Sequence, residues 1–201
     1  MSGATTDGDT TVDTSAVDTS AVTVEPETFT LVDYDSAAIA HVAARVWEQI
    51  GLPAGQPLHV EVDESTPLGR AWVKSVDPVV LTIESGGLEH NHRPRQFDGT
   101  ASAQLFGRLL LRVRDRLDPA FGDAPGDDDL TLAQSAAWDA YAMGRVARLG
   151  YDSQRPRRQY QFRVRHGFSD VTDAAFDQLW NADGLSWADV DRLSSAARAE
   201  V

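Results

Sequence analysis

The sequence predicts an α+β fold: a small antiparallel or mixed sheet packed against helices, with a short helical C-terminal extension. Three observations carry this. Residues 36–50 and 100–117 repeat apolar side chains in steps of three and four, the spacing of an amphipathic helix. Between them, Leu58, Val60 and Val62, then Val79, Leu81 and Ile83, recur at every second position, the spacing of a half-buried strand. Two later helix starts carry capping-box spacing, Thr131 with Gln134 and Ser186 with Asp189.

Residues 1–28 read as a disordered acidic tail. They hold Asp7, Asp9, Asp13, Asp18, Glu25 and Glu27, no basic residue, and a low-complexity stretch, TVDTSAVDTSAV. Such a segment buries too little apolar surface to offset its ordering entropy. Order is expected from Phe29, in a body spanning 29–150. Asp35 or Ser36 caps the first helix; Ile39, Val42, Val46 and Ile50 line its buried face, and Gly51 and Pro53 end it. Three strands follow. Asp77-Pro78 marks a tight turn between the second and third, so an antiparallel meander is expected.

Residues 85–99 read as a polar connection. The helix over 100–117 has Phe106, Leu109, Leu110, Val113 and Leu117 on its stripe and is expected to be central. Residues 118–130, with Pro119, Gly122, Pro125, Gly126 and Asp127 to Asp129, form an exposed loop. The helix from Thr131 carries Ala133, Ala137, Ala140 and Gly144, a small-residue face that permits close approach to the helix at 100–117. Residues 151–201 are expected to hold a strand, in which Tyr160, Phe162 and Val164 share the buried face, followed by two short helices. This extension is too small for an independent core and is expected to pack on the body.

Composition excludes several functions. There is no cysteine, so disulfides, thiolate metal sites and cysteine nucleophiles are impossible. Lys74 is the only lysine, without the glycines of a phosphate-binding loop. Gly-x-Ser-x-Gly and His-Glu-x-x-His are both absent; where a metallopeptidase helix carries the latter, the central helix here reads Gln104-Leu105-Phe106-Gly107-Arg108. The 31 acidic side chains outnumber the 18 basic ones, a formal charge of -13 that repels nucleic acid in bulk. No window is apolar enough for a membrane span. The first twenty residues hold neither the basic residues nor the apolar run of a secretory signal, so a cytoplasmic protein is expected.

Three groups of residues carry candidate chemistry. Glu89, His90 and His92 are the densest set of metal-ligand types; two imidazoles two positions apart reach one zinc ion if a further ligand comes from elsewhere. Arg93, Arg95, Arg108 and Arg112 surround the start of the central helix and, with the two histidines, form a candidate anion pocket. Arg155, Arg157, Arg158, Arg163 and Arg165 are interleaved with Tyr160 and Phe162, a pattern that suits phosphate contact and base stacking.

The expected function is a non-catalytic binding or interaction protein, with a protein partner or self-association. Five tryptophans, Trp47, Trp72, Trp138, Trp180 and Trp187, are compatible with core or interface anchors. The alternatives are a hydrolase, metal-dependent through zinc, centred on the 89–95 loop, and nucleic-acid binding through residues 155–166. The acidic balance makes the last the weakest of the three.

Overall fold

A computed structural model describes residues 17–90 and 92–198. Its elements in chain order are β1 (Val22–Glu25), α1 (Ser36–Ile50), β2 (Leu58–Asp63), β3 (Ala71–Val76), β4 (Val79–Glu84), β5 (Glu89–His90) and β6 (Arg93–Phe97), followed by α2 (Gly99–Leu117), α3 (Leu132–Arg148), α4 (Arg155–His166), α5 (Asp170–Asn181) and α6 (Trp187–Ala196). The fold class is the α+β arrangement expected: a mixed sheet packed against helices.

The sheet runs β1-β2-β4-β3. The β3–β4 hairpin forms as expected, yet the three central strands are not a meander. β4 inserts between β2 and β3 and pairs with β2 in parallel, with Val60 opposite Leu81. Leu58, Val60, Val62, Val79, Leu81 and Ile83 are all buried on one face. β3 lies at the edge, where burial is partial and Lys74 is tolerated. On the opposite face Glu61 pairs with Lys74 at 2.8 Å and accepts from the Thr82 hydroxyl.

Order begins earlier than Phe29. Val22–Glu25 forms β1, parallel to β2, with Val24 buried. Only two valines mark this strand, and its stability comes from pairing with β2, a partner far along the chain. The rest of the expected disordered tail, residues 1–16, lies outside the described residues.

Helices α1 and α2 cover the buried face of the sheet. The Asp35 carboxylate accepts from the Ala37 N–H at the start of α1, and Gly51, at φ 76°, ends it in the left-handed conformation. Asp98 caps α2 in the same way. Both capping boxes form, at Thr131–Gln134 and Ser186–Asp189.

The helix α3 packs on α2. Between them lies a buried ion pair: both terminal Arg145 guanidinium nitrogens donate to Asp115 at 2.6 Å, and the Trp138 indole donates to the same carboxylate at 2.8 Å. Gly107 of α2 makes room for Val146; a β-carbon there would lie 2.9 Å from a Val146 methyl. The small face of α3 serves a second neighbour as well. Gly144 meets α5, where a β-carbon would fall 2.0 Å from the Trp180 carbonyl oxygen.

Residues 155–166 are a helix, correcting the expected strand. Pro156 suits a first helical turn, and the arginines and glutamines are good helix formers. Burial follows helical spacing: Phe162 and His166 are buried, while Tyr160 and Val164 face outward. The extension packs on α3, and Phe162, Phe176, Leu179, Val190 and Leu193 belong to the same apolar core as Ile39 and Leu81. No helix among the described residues is long and apolar enough to cross a membrane.

A candidate anion-binding groove

An open groove of about 920 Å³ lies where β3, α2, α3 and α4 meet. Gln104, Arg108 and Arg112 enter it from α2, each four residues after the last and so on one helical face. Ser135 and Asp139 come from α3. Arg157, Arg158, Tyr160, Val164 and Arg165 come from α4. Arg70 and Trp72 stand at the β3 end, beside Gly86 and Gly87. Gly86 is required there, because a β-carbon would fall 2.3 Å from the Pro67 carbonyl oxygen.

The floor is an ion network rich in cations. Arg108 reaches Asp139 at 3.2 Å, and Arg112 bridges Asp139 at 2.8 Å and Asp127 at 3.2 Å. Arg116 completes the set at 2.5 Å from Asp127. Burial alone would raise the Asp139 carboxyl; the guanidiniums of Arg108, Arg112 and Arg158 outweigh it and hold the group below the usual carboxylate range. Asp127 behaves alike: burial opposes ionisation, and Arg112 and Arg116 prevail. Both carboxylates are therefore charged, yet two of them serve four guanidiniums. The shortage shows in buried donors. The Nε atoms of Arg112, Arg116 and Arg158 have no hydrogen-bond partner among the described residues.

Arg158 is the least compensated. Among the described residues its side chain makes one hydrogen bond, a long 3.4 Å contact to the Gln161 amide oxygen. Burial lowers its pKa; Asp139 opposes that shift, and the like charges of Arg108 and Arg157 add to it. A guanidinium remains protonated regardless. The groove thus holds a half-buried cation whose Nε has no partner among the described residues.

Two groove side chains also close the free edge of β3. Arg108 donates to the Ala71 carbonyl at 3.1 Å, and Asp127 accepts from the Val73 N–H at 2.9 Å. Two outward main-chain groups of the edge strand are thereby occupied.

The structure redistributes the arginines that the sequence grouped. Arg108 and Arg112 line the groove; Arg93 and Arg95 do not. Arg93 is exposed on β6, and Arg95, at φ 63°, ties the hairpin to residues 31–33 through the Leu31 carbonyl and the Asp33 N–H. The arginines of α4 divide as well. Arg155 pairs with Asp177 at 2.5 Å and Arg163 with Asp173, both on α5. Arg157, Arg158 and Arg165 turn to the groove. They therefore do not form one uninterrupted basic surface, because a helix rotates successive residues by about 100°.

The histidine loop is the β5–β6 hairpin. His90 Nδ1 accepts from the His92 N–H at 3.0 Å, and Glu89 accepts from the Arg95 N–H. One acceptor atom of each residue is thus engaged by the backbone. Among the described residues no group of three or more His, Cys, Asp or Glu side chains converges as a metal ion requires. The Ser85 hydroxyl donates to the Thr66 carbonyl, and the Tyr34 hydroxyl, pushed up to about 12 by burial and by Glu89, donates to the Ser85 carbonyl. Glu61 is held by Lys74, and Asp63 by Ser65 and Thr66.

No protein-family model, curated protein or solved structure matches the chain.

Proposed function

We propose that the chain is a non-catalytic binding module whose ligand presents an anionic group to the arginine-lined groove. One observation carries this reading: Arg108, Arg112 and Arg116 share the carboxylates of Asp127 and Asp139, while Arg158 beside them forms no ion pair among the described residues. A guanidinium without a carboxylate partner is under-compensated, and a ligand carboxylate or phosphate that meets the groove side of Arg158 supplies that partner in a charge-assisted bond. The histidines of the 89–95 loop do not line the groove, so nothing here supports placing a metal-dependent reaction in it.

The test is a titration of the isotope-labelled chain with octanoate, pyrophosphate and acidic peptides, following the arginine Nε–H signals by NMR. At least one probe is expected to shift the Arg158 and Arg108 signals. Binding should weaken with salt and fall about tenfold in Arg158→Gln, the loss of one charge-assisted bond. Signals that stay unmoved by every probe at millimolar concentration would overturn the reading.

A further inference from the structure

The cationic floor of the groove is continuous with an apolar stripe on α4 that Phe168 extends just past the end of the helix. Tyr160, Val164 and Phe168 are 59%, 51% and 66% exposed, and the rings of Tyr160 and Phe168 meet edge to face at 5.9 Å. Tyr160 and Val164 also line the groove, as does Leu132 on the facing wall, 64% exposed. Arg157 and Arg165 flank the stripe on the same helix. Exposed apolar side chains are ordinary when scattered; a contiguous set beside an under-neutralised cation points to a ligand that covers both.

The charge pattern narrows the class. Asp127, Asp128, Asp139 and Glu89 lie among the arginines, so a continuous polyphosphate crossing the groove would pass over four acids. The formal charge of -13 adds to that repulsion. A ligand with one or two discrete carboxylates need not cross the acids and, carrying less charge, is repelled less. On the stripe, residues four apart on a helix stand about 6 Å from one another along its axis. Apolar side chains at that interval occur at every second residue of an extended chain and every fourth of a helix.

We infer that the groove takes an acidic, apolar segment of a partner protein: a carboxylate seats on Arg158, and its large apolar side chains cover Tyr160, Val164 and Leu132. This rests on the reading of the groove as an anion site. The Arg158 guanidinium donates to the carboxylate oxygens, and the stripe supplies the area that a lone ion pair lacks.

Random peptides displayed on phage and selected on the full chain test this, with octanoate, pyrophosphate and a single-stranded oligonucleotide as parallel probes. The enriched sequences should combine Asp or Glu with Leu, Phe, Tyr or Trp. The best synthetic peptide should lose about tenfold in affinity to Arg158→Gln and a similar factor to the double variant Tyr160→Ser, Val164→Ser. The double variant changes exposed side chains only, so the fold survives even if Arg158→Gln unfolds. Enrichment of basic sequences, no enrichment, or peptides that bind both variants like the parent would each overturn the inference. If octanoate, pyrophosphate or the oligonucleotide engages Arg158 while acidic peptides do not, the inference falls and the anion groove stands. If nothing engages Arg158, both fall.

Discussion

Gly144 on α3 lies so close to Trp180 on α5 that a β-carbon at position 144 would stand 2.0 Å from the Trp180 carbonyl oxygen. Backbone, not a pliable side chain, is what the added methyl would meet, so α5 has to move away. Gly144→Ala is expected to destabilise the protein by about 2 kcal/mol or more, the range of an overpacked core. Urea unfolding monitored by tryptophan fluorescence measures it. An unchanged midpoint would mean that α5 is not seated on α3 as described.

Asp115 and Arg145 form a buried bidentate pair at 2.6 Å. Asp115→Ala leaves a guanidinium in the core without its partner and also frees the Trp138 indole N–H. The expected cost is about 3–5 kcal/mol. Removing both charges together, as in Asp115→Leu with Arg145→Met, should recover much of that loss, because the penalty lies in the unpaired charge. Equal stability of the single and double variants in chemical denaturation would contradict this.

Acid stability should depend on the groove network. Asp127 and Asp139 are both held below the ordinary carboxylate range in the folded protein. Groups with depressed folded values stabilise above their unfolded value, near 3.9, and that contribution is lost as pH falls through the lower folded value. Stability measured from pH 5 down to 2 should therefore fall more steeply in the parent than in Asp127→Asn or Asp139→Asn. Parallel slopes would show that the guanidiniums do not act on these carboxyls.

His166 predicts a second pH dependence at higher pH. Its Nδ1 faces the Phe162 carbonyl at 3.0 Å, so that nitrogen carries the proton; Nε2, 2.9 Å from Ser194, accepts from its hydroxyl. Burial pushes its pKa down; the Phe162 contact opposes this and the Arg198 charge adds to it. The unfolded chain then binds the proton first as pH drops below about 6.5, so stability falls from there until the lower folded value is reached. Unfolding midpoints at pH 7.5 and 5.5 should differ more in the parent than in His166→Gln. The same drop in both would remove His166 as its cause.

Much of the local structure was legible in the residues themselves. Thr131 with Gln134 and Ser186 with Asp189 place helix starts because a capping box is closed within four residues. The face of α1 from Ile39 to Ile50 and the buried positions of β2 and β4 follow from periodicity alone. The segment around Tyr160 shows where that signal fails. Tyr160, Phe162 and Val164 alternate like a strand, but the arginines and glutamines between them favour helix, and contact with the core selects Phe162 and His166. The candidate site was legible only in part: Arg108, Arg112, Arg157, Arg158 and Arg165 were singled out, but in two separate groups.

The sequence by itself determined the α+β class, most element boundaries and which face of α1, α2, β2 and β4 turns inward, since each depends on residues within one or two turns of chain. Only the tertiary structure decided that β1 pairs with β2, that β4 separates β2 from β3, and that Gly144 receives α5. It also decided the groove. Arg108 and Arg112 of α2 are brought to Asp139 of α3, with Arg158 of α4 lining the same groove, while Arg95 and Arg163 are drawn to other partners. Periodicity tells a residue which way to face; what it meets there depends on contacts between distant segments, which form only as the chain folds.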